Sequence, residues 1–98
     1  MPITQMKGSI MRELNKNEFM RVKKGYDNAL SLYQDGYLKE ALLELKRPIR
    51  ILEYRAENTR FLALCLQLQA KALHDLGKEP EAEVASLRAE EILRRIRD

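Results

Sequence analysis

Cysteine and histidine are the side chains best suited to nucleophilic chemistry, and each occurs once in this chain, as Cys65 and His74. Both lie in a stretch whose periodicity predicts a single helix. Their separation corresponds to about two and a half helical turns, or roughly 13 Å along the axis. The two side chains therefore point in opposed directions and do not form a nucleophile–base pair within one chain. We expect Cys65 to be a packing residue, and we predict that the chain is not an enzyme.

Metal-binding and phosphate-binding patterns are also missing from the sequence. The densest acidic cluster, Glu79, Glu81 and Glu83, stands at a predicted helix start, where the helix dipole accounts for it. A metal site needs several converging ligands. The glycines at positions 8, 25, 36 and 77 are isolated, so they form no phosphate loop or dinucleotide fingerprint. We expect no metal and no cofactor.

Composition favours a single all-α domain. The chain has 98 residues, of which 45% are apolar and 34% charged, and Leu, Ala, Glu, Lys and Arg dominate. Val and Thr are scarce, which leaves little material for strands. No apolar run approaches the roughly 20 residues that span a bilayer. A lone cysteine cannot form an internal disulfide, so we expect a cytoplasmic protein with no membrane association.

The net charge of +3 is a weak indication of nucleic-acid binding, because basic and acidic residues are interleaved almost throughout. The exceptions are the clusters Arg21-Lys23-Lys24 and Arg94-Arg95-Arg97. Solvated helix faces or cation-rich helix ends explain both clusters better than a nucleic-acid surface does.

Hydrophobic periodicity predicts four helices after an N-terminal segment, residues 1–14, that is either a short helix or a frayed arm. The first helix follows a cap at Asn15 or Asn17 and ends before Gly36. A second contains Pro48 as a kink and not as a break. Thr59 and Asn58 precede the third, and Pro80 opens the fourth. The four predicted spans are 19–35, 37–57, 60–76 and 81–97. They form one domain of two helical hairpins, at about 17–57 and 59–97.

An internal repeat relates the two hairpins at an offset of 41 residues. Eight identities fall in the 24 positions aligned from residue 29 to residue 52. They include Gly36 with Gly77 at the turn, and Ala41 with Ala82 where the second helix crosses the first. Small residues at a crossing let two helix axes approach closely. Self-similarity of this kind indicates a helical array.

The repeated residues resemble the tetratricopeptide repeat (TPR), whose core pattern is a small residue, Leu or Tyr three residues later, Gly, and then Ala. The offset of 41 exceeds the 34 residues usual for the family by about two helical turns. In this respect the repeats are similar to those of kinesin light chain. The sequence departs from the family pattern at Gly25 and Leu66, where an aromatic is usual, and at Pro48, where a small residue is usual. The resemblance implies antiparallel hairpins stacked in an α–α superhelix.

The resemblance also implies a concave groove lined by the first helix of each hairpin. The groove positions are Lys23, Tyr26, Leu30, Tyr33 and Gln34 in the first hairpin and Leu64, Gln67, Lys71, His74 and Asp75 in the second. Two tyrosines on one face suit a peptide-binding surface. Partial burial of both between helices explains them equally well.

The open end of the array is the second candidate surface. The fourth helix carries Val84, Leu87 and Leu93, which a third helix cannot all cover. We therefore expect a protein-interaction module, a small adaptor or chaperone that binds a peptide or helix of another protein. The alternative is a homo-oligomeric structural or regulatory protein, such as a homodimer. Nucleic-acid binding is a weaker alternative.

Overall fold

Helices make up 89% of the residues that the computed structural model describes, which are 14–55 and 59–97. Four helices and no strand lie in these ranges: α1 Lys16–Gln34, α2 Leu38–Arg55, α3 Arg60–Asp75 and α4 Glu79–Arg97. The predicted all-α fold is confirmed. The predictions for residues 1–13 and for residues 56–58 fall outside the described ranges. Within those ranges, no helix combines the length and the apolar character that crossing a bilayer requires.

Side-chain caps begin α1 and α3. The Asn15 side chain accepts a hydrogen bond from the Glu18 amide at 2.8 Å, and the Asn15 amide donates to Glu18 Oε1 at 3.2 Å. The Thr59 hydroxyl accepts from the Leu62 amide at 3.1 Å. These bonds satisfy amide groups that have no partner inside the helix. Glu18 Oε2 also lies 3.0 Å from Arg55 Nε, which joins the start of α1 to the end of α2.

Both hairpins turn through a glycine in the left-handed backbone region, with φ of +88° at Gly36 and +83° at Gly77. In each turn the amide after the glycine donates to a carbonyl five residues earlier at 2.8 Å, and the glycine amide itself donates to a carbonyl three residues earlier. These paired bonds are the Schellman arrangement, and they confirm the predicted helix ends. The fourth helix begins at Glu79, two residues before its predicted start at Glu81. Pro80 is tolerated there because its missing amide has no helical partner to lose.

The helices pack in chain order, α1 on α2, α2 on α3 and α3 on α4. The backbone of α1 also lies close to that of α3, but in the described part of the chain it does not come close to that of α4. The helices therefore form a row and do not close into a bundle. α3 is buried on several sides, through Leu62, Ala63, Cys65, Leu66, Leu68 and Ala72.

Gly25 and Pro48, two departures from the repeat pattern, contact each other. A Cβ on Gly25 would lie 2.6 Å from Pro48 Cγ, and the proline ring is fully buried. The equivalent positions of the second copy hold Leu66 and Ala89, which are also buried. In the first hairpin the larger residue of the pair, Pro48, is on the second helix. In the second hairpin the larger residue, Leu66, is on the first helix. The second helix runs through Pro48 without a break, as predicted.

Candidate functional site

An open pocket of about 930 Å³ lies between the C-terminal half of α3 and the first turns of α4. Four of the predicted groove residues line it: Tyr33, Lys71, His74 and Asp75. Tyr33 comes from the last turn of α1, and the other three come from α3. The remaining lining residues are Ala70, Glu79, Pro80, Ala82, Glu83 and Ser86.

The turn at Gly77 positions the second wall of this pocket. It reverses the chain within three residues, so the first turns of α4 lie directly against the end of α3. Glu79, Glu83 and Ser86 follow at spacings of four and three, which places them on one side of α4. The sequence interpretation missed this wall, because the family resemblance assigns the groove to the first helix of each hairpin. The spacing of Glu79, Glu83 and Ser86 after Gly77 was the feature of the sequence that could have indicated this wall.

Two polar contacts fix side chains across helix boundaries in the pocket. The Tyr33 hydroxyl donates a hydrogen bond to Asp75 Oδ2 at 2.9 Å, joining α1 to α3. This bond raises the pKa of the Tyr33 hydroxyl, since the phenolate cannot donate it. His74 Nδ1 contacts Glu79 Oε2 and joins α3 to α4.

The charges of the pocket are unbalanced. Asp75, Glu79 and Glu83 supply three carboxylates, against the single ammonium of Lys71 and the imidazole of His74. Among the described residues, neither Lys71 nor Glu83 has an ion-pair partner. The pocket therefore presents a negative excess, together with one cation that can pair with an incoming group.

The other predicted groove residues lie apart from this pocket. Tyr26 packs edge-on against Phe61, with ring centroids 5.8 Å apart, and its burial raises its pKa. Leu30 is half-buried against the core. Lys23 forms an exposed ion pair with Asp27 at 2.9 Å. Three predicted positions are exposed but do not line the pocket: Gln34, Leu64 and Gln67.

Two of the three predicted association residues are exposed. Val84 and Leu87 expose 67% and 56% of their surface, one turn apart on α4. Leu93 is different, since it is half-buried and packs against the core cluster.

Cys65 is fully buried in α3, and desolvation raises its pKa to about 12. Its thiol therefore stays protonated at neutral pH and is a poor nucleophile. The part of the chain that the structure describes contains no cluster of three or more residues able to hold a metal ion.

A smaller pocket of about 430 Å³ lies over the contact between Gly25 and Pro48. Arg21, Lys24 and Arg47 surround it, with Glu44 among them. The basic cluster predicted at residues 21–24 is therefore divided, because Lys23 pairs with Asp27 instead of lining this pocket.

Comparison of the chain with protein-family models, curated proteins and solved structures finds no match. Its residues and their geometry are therefore the basis for assigning a function.

Proposed function

We propose that this chain is a protein-interaction module, a small TPR-like adaptor or chaperone that holds a segment of another protein in the pocket between α3 and α4. The observation that carries the proposal is the convergence of Tyr33, Lys71, His74 and Asp75 on one open pocket. Contacts to neighbouring helices orient three of these side chains before any partner arrives. Pre-oriented side chains lose little conformational entropy on binding.

The shape and chemistry of the pocket suit a peptide segment. Ala70, Pro80 and Ala82 give it small apolar surfaces beside the charged groups. Sites for small molecules usually enclose 70–90% of the ligand surface, whereas this pocket is open to solvent. A longer segment can cross such a pocket and bury its apolar side chains there. The proposal assigns no catalytic step to Cys65, and a lone thiol is consistent with a reducing cytoplasm.

The proposal is tested by capturing partners with a tagged protein and a double variant, Tyr33→Ala with Lys71→Glu. We expect the variant to lose the captured protein, as measured by quantitative mass spectrometry, while circular dichroism shows unchanged helicity. The matched control is Tyr37→Ala with Lys39→Glu, which changes the same residue types at exposed positions outside the pocket. Equal capture by both double variants would exclude the pocket as the binding surface.

Self-association is a second candidate, favoured by the exposure of Val84 and Leu87 on α4. In that case Leu87→Glu yields a folded monomer where the wild type is an oligomer, as measured by light scattering. Leu93→Glu should unfold the chain instead, because Leu93 packs against the core. A monomeric wild type would remove this candidate.

A further inference from the structure

The pocket between α3 and α4 corresponds, through the repeat, to the surface on which α3 packs. α3 lies against both α1 and α2, and it contacts α2 more extensively. On the first hairpin, α2 carries three leucines at spacings of four and three, of which Leu45 is fully buried and Leu38 and Leu42 are half-buried. The repeat pairs these leucines with the pocket wall on α4: Leu38 with Glu79, Leu42 with Glu83 and Leu45 with Ser86.

The same exchange occurs on the first helix of each hairpin, where Leu30 is replaced by Lys71. Leu30 packs against the core, whereas Lys71 is exposed in the pocket. The two turns have the same geometry, so the second hairpin offers a place for a further helix as the first hairpin does. Only the lining has changed, from apolar to charged.

This change determines what can occupy the pocket. A helix with an apolar face, such as α3, would bury Glu83 without an ion-pair partner and Glu79 with only His74 beside it, and burying unpaired charge is costly. An occupant with Lys or Arg at these contacts removes that cost and also neutralises the excess of carboxylates. The small side chain of Ala70 leaves room for a helix axis to approach closely.

We propose that the pocket binds an amphipathic helix of a partner protein that carries Lys or Arg toward Glu79 and Glu83, in the position that α3 takes on the first hairpin. The proposal rests on the proposed function and names the class of partner. The apolar residues of the bound helix contact Ala70, Pro80 and Ala82. The charged contacts make its binding dependent on salt.

The test is a selection of phage-displayed random 16-residue peptides on the immobilised full-length protein, run in parallel on Glu83→Lys. Glu81→Lys is the matched control, because it makes the same charge change on the first turn of α4 at an exposed position outside the pocket. We expect the wild type and Glu81→Lys to enrich peptides with Lys or Arg beside Leu at three- and four-residue spacing. By fluorescence anisotropy, these peptides should bind Glu83→Lys at least tenfold more weakly.

The possible results separate this inference from the proposed function. Enrichment of acidic peptides, or of basic peptides that bind Glu83→Lys and the wild type equally, overturns the inference. If the wild type selects acidic or neutral peptides and the double variant Tyr33→Ala with Lys71→Glu does not bind them, the inference is wrong and the proposed function stands. If no peptide is enriched on the wild type, both fail. A dimer that Glu83→Lys makes monomeric would assign the pocket to a second copy of the chain and overturn the inference.

Discussion

Replacing Gly25 by alanine tests the packing of the first hairpin. In an open helix position this change stabilises a protein by about 1 kcal/mol, because alanine is the better helix former. Here the added Cβ would lie 2.6 Å from Pro48 Cγ and 3.2 Å from Pro48 Cδ. The proline ring is rigid and fully buried, so it has little room to move aside. Overpacking a core typically costs about 1–3 kcal/mol.

At 2.6 Å the contact is far inside van der Waals distance, so we place the cost near the upper end of that range. After subtracting the gain in helix propensity, Gly25→Ala should lower the free energy of unfolding by about 1–2 kcal/mol. In a Pro48→Ala background the clash is absent. There the same change should raise the free energy of unfolding by about 1 kcal/mol.

The assay is a double-mutant cycle of the four proteins, unfolded in urea and followed by circular dichroism. The cycle removes the separate effect of Pro48→Ala on the second helix and leaves a coupling of about 2–3 kcal/mol between the two positions. Gly25→Leu with Pro48→Ala copies the pair Leu66 and Ala89 of the second hairpin and should also fold. A stabilising effect of Gly25→Ala that is the same in both backgrounds would refute the reasoning.

Three further predictions concern stability. Burial raises the pKa of Cys65 from 9.0 to about 12, so above pH 9 the unfolded state loses this proton before the folded state does and stability falls. Between pH 8 and pH 10 the free energy of unfolding of the wild type should fall by about 1.4 kcal/mol more than that of Cys65→Ala, as measured by urea unfolding. Equal decreases in the two proteins would show that the thiol is ionised or exposed in the folded state. Gly36→Ala and Gly77→Ala should each lower the free energy of unfolding by about 1 kcal/mol, as measured by thermal unfolding, because both glycines have positive φ. The two effects should add in the double variant, because the glycines lie in separate turns. Thr59→Ala should lower the free energy of unfolding by about 1 kcal/mol because it removes the cap of α3, whereas Thr59→Ser keeps the capping hydroxyl and should keep the stability.

The helix ends were predictable because each depends on local chemistry. Gly36 and Gly77 take backbone angles that other residues avoid, and Asn15 and Thr59 supply oxygen atoms to free amides. A cap or a left-handed glycine acts on the residues beside it, so its effect can be recognised in a short stretch of sequence.

Contacts between helices were harder to predict. The sequence shows that Gly25 and Pro48 each depart from the repeat pattern, but not that they touch, because periodicity does not fix how two helices cross. For the same reason the wall of the pocket on α4 was missed. The exchange of Leu38 and Leu42 for Glu79 and Glu83 was present in the alignment of the two copies. Its meaning became clear only from the structure, where the two leucines are half-buried on a helix that packs against α3 and the two glutamates line an open pocket.

Photo-crosslinking in living cells tests the central claim most directly. A photoreactive phenylalanine is placed at Ser86, inside the pocket, or at Leu43, an exposed residue outside it. Binding of a partner segment between α3 and α4 predicts crosslinks to another protein from position 86 and none to the same protein from position 43. Crosslinks from position 43 alone, or equal crosslinks from both positions, would contradict the claim that this pocket is the interaction site.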